Sequence, residues 1–211
     1  MTTGSDLLEL SPVLPVVVLD DAEHAVPVAR ALLAGGIRAV ELTLRTPVAL
    51  EAIRRVAAEV PDVVVGAGTV TSPAQARQAA GAGAAFLVTP GVTDAVLGAA
   101  FDSGLPFLPG VATVSEAMRL AERRLDALKF FPAEASGGVD ALRSIAGPLP
   151  GLRFCPTGGI TVESAPRYLA LANVGCVGGS WLTPKDVLTA RDFGRVEALA
   201  KEAAALGPPG R

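Results

Sequence analysis

The sequence predicts an α/β fold, a closed (β/α)8 (TIM) barrel that fills a single domain over residues 1–211 with room for a short N-terminal helix. Three observations carry this expectation. Short Val/Leu-rich runs alternate with Ala-rich amphipathic stretches along the whole chain, the pattern of parallel strands joined by right-handed helical crossovers. About eight such units follow one another with no linker, low-complexity tract or charge block between them, which suits a closed barrel better than an open doubly wound sheet. The strand pattern by itself is shared by both. The length of 211 residues, half of them hydrophobic, supplies one large core, and a barrel commonly occupies such a length as one domain.

The elements read off in order. Strands are expected at 13–19, 39–44, 63–66, 86–89, 106–108, 127–131, 153–157 and 175–178, each a short Val-, Leu- or Phe-containing run bounded by turn residues. Helices are expected at 22–33, 48–60, 73–80, 94–102, 114–123, 140–145, 163–171 and 193–206, where alanine and leucine recur with charged residues at helical spacing. Thr71-Ser72-Pro73 offers a cap followed by proline in the first turn. Asp94 and Ser115-Glu116 offer similar starts, and Gly35, Gly81 and Gly104 sit where helices should stop.

Composition excludes several partners. A net charge of -3 and a pI near 5.2 provide no basic field for nucleic acid or an anionic membrane. The first ten residues carry acids where a signal peptide needs bases. The longest uncharged run, 168–184, is broken by Asn173 and several glycines and reads as buried strand and loop. Cys155 and Cys176 lie in apolar runs without a CxxC partner, as reduced core thiols of a cytoplasmic protein would. His24 is the one histidine, set among charged residues of the first helix and read as a solvated surface group. A histidine-based triad and a histidine-ligated zinc site therefore lack their residues, and no phosphate-loop or strand-linked dinucleotide motif is present.

Two stretches carry chemistry. Lys129, one of only three lysines, stands within Ala127-Leu-Lys-Phe-Phe-Pro132. Strand alternation puts Lys129 and Phe131 on one face. Desolvation among aromatics favours a neutral amine, which attacks carbonyl carbon; the ordinary alternative is a lysine at a strand end that reaches solvent. In Val40-Glu-Leu-Thr-Leu-Arg-Thr46, Glu41, Thr43 and Arg45 share the face opposite the apolar Val40, Leu42 and Leu44. Charge directed inward, where Val or Ile normally fills space, marks a site; a Glu–Arg pair that neutralises itself is the plainer reading.

Thr157-Gly-Gly-Ile160 and Gly178-Gly-Ser-Trp181 follow the last two strands. Their bare N–H groups suit a phosphate at the usual barrel position. Gly66-Ala-Gly-Thr69 brings a further hydroxyl to the same rim, and Glu134 is a candidate second carboxylate or an acid at a helix start.

Glu41-Leu-Thr-Leu-Arg45-Thr, Val65-Gly-Ala-Gly-Thr69-Val, Leu128-Lys129-Phe-Phe-Pro-Ala-Glu134, Cys155-Pro-Thr157-Gly-Gly-Ile160 and Gly178-Gly-Ser180-Trp resemble the KDPG/KHG aldolase family over residues 10–206. The resemblance implies a class I aldolase that needs no metal or other cofactor, cytoplasmic and usually homotrimeric. Its substrate would be a phosphorylated keto acid, 2-dehydro-3-deoxy-6-phosphogluconate, cleaved to pyruvate and glyceraldehyde 3-phosphate, with 4-hydroxy-2-oxoglutarate a second substrate. By motif, Lys129 matches the Schiff-base lysine and Glu41 the general acid/base. Arg45 and Thr69 match pyruvate-binding positions, and Pro90 and Phe131 match walls of the pyruvyl pocket. Thr157, Gly158, Gly159, Gly179 and Ser180 match the region that holds the rest of the substrate. Thr157 in the Thr-Gly-Gly motif is closer to gluco- than to galacto-type members. The rival readings are a phosphogalactonate-type keto acid aldolase, a phosphate-binding barrel isomerase, a magnesium-dependent pyruvate aldolase with Glu41 as ligand, and a non-catalytic binding barrel.

Overall fold

A computed structural model describes residues 4–207. The short N-terminal helix is present as α1 (Gly4–Leu7), followed by β1 (Val13–Val17). A 3-10 turn (Ala22–His24) then leads into α2 (Ala25–Ala34), so the first expected helix begins with a tighter turn. The alternation continues with β2 (Ala39–Thr43), α3 (Ala49–Glu59), β3 (Val64–Gly68), α4 (Pro73–Gly81), β4 (Leu87–Val88) and α5 (Asp94–Ser103). The fifth expected strand, 106–108, is β5 (Phe107–Leu108), and a further short piece that was not expected, β6 (Gly110–Val111), follows it. Pro109 separates them: it has no N–H for the ladder, although its carbonyl still accepts from the Lys129 N–H at 2.9 Å. Next come α6 (Val114–Ala121), β7 (Ala127–Phe130), a 3-10 turn (Glu134–Ser136), α7 (Gly138–Ala146), β8 (Arg153–Pro156) and α8 (Ala165–Leu169). The chain ends with β9 (Val177–Gly179), α9 (Lys185–Thr189), which was not expected, and α10 (Phe193–Ala204).

Helix starts follow local capping chemistry. The Ser72 hydroxyl accepts from the Gln75 N–H with Pro73 in the first turn of α4, as read from the sequence. At α5 the cap is Thr93, with Asp94 inside the first turn. At α6 Thr113 and Glu116 form a reciprocal capping box, two residues ahead of the expected Ser115. Threonine wins in both cases because it precedes the helix with extended backbone.

All strand pairings are parallel, in a six-stranded sheet of order β5-β4-β3-β2-β1-β9 and a three-stranded sheet of order β6-β7-β8. β8 meets the chain around β9 through parallel bridges Phe154–Val174 and Thr157–Gly178. Alternation along the strands sorts the core into two layers. Val13, Val17, Val40, Leu42, Val65, Leu87, Leu128, Phe130, Phe154 and Val177 pack against the helices. Leu14, Ala39, Phe86, Val88, Leu108, Ala127, Cys155 and Cys176 face the other way and pack on one another, joined by Leu7 and Leu8 from the N-terminal segment. Residues of both sheets meet in that inner layer, so the sheets curl around it, with Glu41 and Lys129 on its side of the strands. The inner layer is what positions the site. No helix among the described residues is long and apolar enough to cross a membrane.

Candidate active site

Lys129 and Glu41 lie 88 residues apart in sequence and meet inside the curl. Lys129 Nζ is 3.2 Å from Glu41 Oε1 and 3.4 Å from Oε2. Their residues are 4% and 1% exposed, so the contact is shielded from bulk water. Glu41 sits in the middle of β2, paired to Val16 on one side and Gly66 on the other. Its side chain runs across Gly68, where any Cβ would collide with the carboxylate and its stem. The glycine that ends β3 is therefore a space requirement of Glu41. Lys129 stands in β7 between Gly110 and Cys155, and Nζ lies 5.5 Å from the centroid of the Phe131 ring.

Arg45 leaves the strand at the rim and is exposed, while Thr43 is buried with its hydroxyl donating to the Val17 carbonyl at 3.1 Å. The shared face holds for Glu41 and Thr43 within β2, whereas Arg45 lies past the end of the strand in a turn. Arg45 Nε donates to Thr69 Oγ1 at 3.1 Å. Thr69 has φ 56°, the left-handed region that a β-branched residue rarely adopts, and this conformation carries its hydroxyl to the guanidinium. Pro90 is one strand from the lysine: the backbone of Pro90 packs against Gly110, the register partner of Lys129.

A cavity of about 160 Å³ is lined by Arg45, Phe131, Thr157, Gly158, Gly159 and Ser180, with neither Lys129 nor Glu41 in its wall. Phe131 belongs to this lining and also covers Nζ, linking the cavity to the buried amine. Gly179 does not line it; a Cβ there would collide with the Trp181 ring, so this glycine makes room for tryptophan. Val16, Val18, Ile160 and Gly178 line it without having been expected. Alternation from Leu14 carries the signal for Val16 and Val18, and Gly178 was visible in its motif. At Gly178 a Cβ would collide with Thr157 Oγ1, so glycine lets the threonine hydroxyl sit between the two loops.

Two expectations change. His24 is not a solvated surface group: its side chain is 14% exposed, Nε2 is buried without a hydrogen-bond partner, and the ring stands edge-on to Phe193 at 6.0 Å. The 3-10 turn directs it against α10. Glu134 does not join Lys129; its carboxylate accepts from the Tyr168 hydroxyl at 2.5 Å. Burial and that bond together raise the Tyr168 hydroxyl pKa, so it stays a donor. Cys155 and Cys176 are free and buried, as expected. The Cys176 thiol is pushed well above its ordinary value by its hydrogen bond with Cys155 and by burial. Among the described residues no three His, Cys, Asp or Glu side chains form a group that could hold a metal ion.

The chemistry available is an enclosed amine beside a carboxylate, opening toward a guanidinium and two N–H-rich loops. A family model described as "Aldolase: KDPG and KHG aldolase" matches residues 5–199. The chain is 54% identical over 204 residues to the 2-dehydro-3-deoxy-phosphogluconate aldolase of Dickeya dadantii, covering 97% of this chain and 96% of that protein. It is 52% identical over 202 residues to the KHG/KDPG aldolase of Escherichia coli, covering 96% and 95%. A crystal structure of KDPG aldolase from Legionella pneumophila, with pyruvate captured at low pH as a covalent carbinolamine intermediate, superposes with a TM-score of 0.94 at 42% identity, covering 96% of this chain and 98% of that one.

Proposed function

The chain belongs to the KDPG and KHG aldolase family, and we propose that it works as a class I aldolase through Lys129 and Glu41. Its reaction is cleavage of 2-dehydro-3-deoxy-6-phosphogluconate to pyruvate and glyceraldehyde 3-phosphate. 4-Hydroxy-2-oxoglutarate, cleaved to pyruvate and glyoxylate, is a second substrate. The observation that carries the residue assignment is the enclosed Lys129–Glu41 contact at 3.2 Å.

Passing a proton from the ammonium to the carboxylate across that contact frees the amine to add to the C2 ketone. Glu41 then returns that proton to the carbinolamine hydroxyl, which leaves as water; the product is a protonated imine, an electron sink beside the bond to be broken, with Glu41 again a carboxylate. Glu41 takes the C4 hydroxyl proton, directly or through a water, and the C3–C4 electron pair moves into the imine to give an enamine and an aldehyde. After the aldehyde leaves, Glu41 returns a proton to C3 and water hydrolyses the imine to pyruvate. One carboxylate serves both proton steps because both occur on the same face of the bound pyruvyl unit. Arg45 holds the keto-acid carboxylate through its fork of N–H donors, oriented by Thr69, and fixes C2 near Nζ. Phe131 and Pro90 wall the pyruvyl unit, and the Thr157–Gly159 stretch with Ser180 holds the phosphorylated end.

In this reading the two sheets are one eight-stranded (β/α)8 barrel in a single domain, with β5 and β6 as one strand interrupted at Pro109; the Phe154–Val174 and Thr157–Gly178 bridges support it. The family resemblance further supports a cytoplasmic homotrimer. Borohydride reduction in the presence of pyruvate tests the assignment. A stable mass increase on the peptide containing Lys129, absent from Lys129→Arg, is expected; an unmodified Lys129 peptide refutes it.

A further inference from the structure

Glu134 and Tyr168 have no part in the covalent chemistry above, yet they are joined by a 2.5 Å hydrogen bond under one of the two loops that line the cavity. Gly158 and Gly159 have φ of 102° and 80°, backbone that only glycine adopts without strain. The loop is held from beneath by the chain that follows β7. The Ala133 N–H donates to the Thr157 carbonyl at 2.8 Å and the Glu134 N–H to the Gly158 carbonyl at 3.1 Å. Gly159 rests on the Glu134 side chain: a Cβ on Gly159 would be 2.7 Å from Glu134 Cγ and 2.9 Å from its Cβ. The stem of Glu134 is therefore the floor of the loop, and its rotamer sets the loop's height.

That rotamer is fixed by Tyr168, which is 1% exposed and rooted in α8, the first helix after the loop. Glu134 itself is exposed, and a free carboxylate beside a loop that receives a phosphate would oppose the ligand's charge. Held by the tyrosine hydroxyl, its carboxylate is turned to Tyr168 and its stem stays under Gly159. The Thr157 and Gly158 carbonyls accept from the Ala133 and Glu134 N–H groups and the Thr157 N–H donates to the Phe130 carbonyl at 2.9 Å, so the N–H groups this loop can offer an anion are those of Gly158 and Gly159.

We propose that the Tyr168–Glu134 hydrogen bond is a positioning device that sets the Thr157–Gly159 loop for the phosphate end of the substrate and so favours phosphorylated over unphosphorylated keto acids. The inference rests on the aldolase reading of the same site. Neither residue touches the reacting carbons; they act through the loop.

The test compares two substrates and one covalent readout. 4-Hydroxy-2-oxoglutarate ends at the second carbon beyond the cleaved bond and carries no phosphate. In Tyr168→Phe, KM for 2-dehydro-3-deoxy-6-phosphogluconate should rise about tenfold, the scale of one charge-assisted hydrogen bond. kcat/KM for 4-hydroxy-2-oxoglutarate and the rate of borohydride-trapped pyruvate adduct should stay within about twofold of wild type. Glu134→Ala should reproduce the loss, and Glu134→Gln, which keeps the stem and an acceptor for the tyrosine, should restore most of the preference. Equal losses on both substrates, or no change on either, overturn the proposal. Failure of the wild-type protein to trap pyruvate on Lys129 would remove the aldolase reading and this inference with it, whereas intact trapping with equal losses removes this inference alone.

Discussion

Gly68→Ala isolates the role of Glu41 without touching either reacting side chain. Gly68 closes β3 opposite Thr43, and a methyl there would coincide with Glu41 Oε1, Cγ and Cδ. Its φ lies outside the left-handed region, so alanine meets no backbone strain and the whole effect is the collision with Glu41. Overpacking of this kind costs about 1–3 kcal/mol, which a domain of this size tolerates while remaining folded. The carboxylate must move off its place beside Lys129 Nζ, and turnover should fall by about 10²–10⁴, the range for loss of a general base. Pyruvate trapping on Lys129 should persist in part and more slowly, since the amine remains but the carboxylate that takes its proton is displaced. The assay is coupled pyruvate release, with trapping by mass spectrometry and thermal melting beside it. Gly98→Ala is the control: no atom lies within 4 Å of the new Cβ in α5, and the exchange should stabilise by up to about 1 kcal/mol at unchanged kcat. Wild-type turnover in Gly68→Ala would refute the assignment of Glu41, because the enzyme would then work with the carboxylate displaced.

Other outcomes follow from single contacts. Arg45→Ala should raise the pyruvate concentration for half-maximal trapping by about 10–150-fold, the equivalent of 1.5–3 kcal/mol for a hydrogen bond to a charged group, with Arg45→Lys intermediate because it loses the fork held by Thr69. Phe154→Ala removes a fully buried ring that stands edge-on to Phe130 at 6.4 Å and should cost about 3–5 kcal/mol by denaturant unfolding at neutral pH. The Glu116 carboxyl is held below its ordinary value, first by the Ala112 N–H and further by the Thr113 hydroxyl and N–H, against a smaller opposing effect of burial. A carboxylate lowered in the folded state adds stability that is present above its unfolded value and lost as pH falls through the folded one. Glu116→Gln should therefore lower stability at neutral pH and converge with wild type in acid; parallel stability curves would refute the cap's charge dependence.

Much of the molecule was legible in local pattern. Period-two alternation put Lys129 with Phe131 and Glu41 with Thr43 on one face, and those faces are the inner ones. The expected helix starts lie within two residues of the observed ones except at α2, which begins three residues on behind its 3-10 turn; at α5 and α6 the starts are exact and only the cap was misread, from weighing acids over the threonines that precede them. The break at Pro109 was readable from the proline itself, whereas α9 begins at Lys185 without a side-chain cap to announce it. His24 looked exposed from its charged neighbours, but the ring follows the turn and packs on Phe193, 169 residues away in sequence and out of reach of any local pattern.

The sequence by itself determined which residue types were available and which way each faced, because backbone geometry alternates side chains whatever the strand's neighbours. Only the tertiary structure decided which facing residues meet. The closeness of Lys129 to Glu41 and the binding of Glu134 to Tyr168 each depend on the order in which strands curl around a shared interior. That order sets distances across the core, which no spacing along the chain encodes.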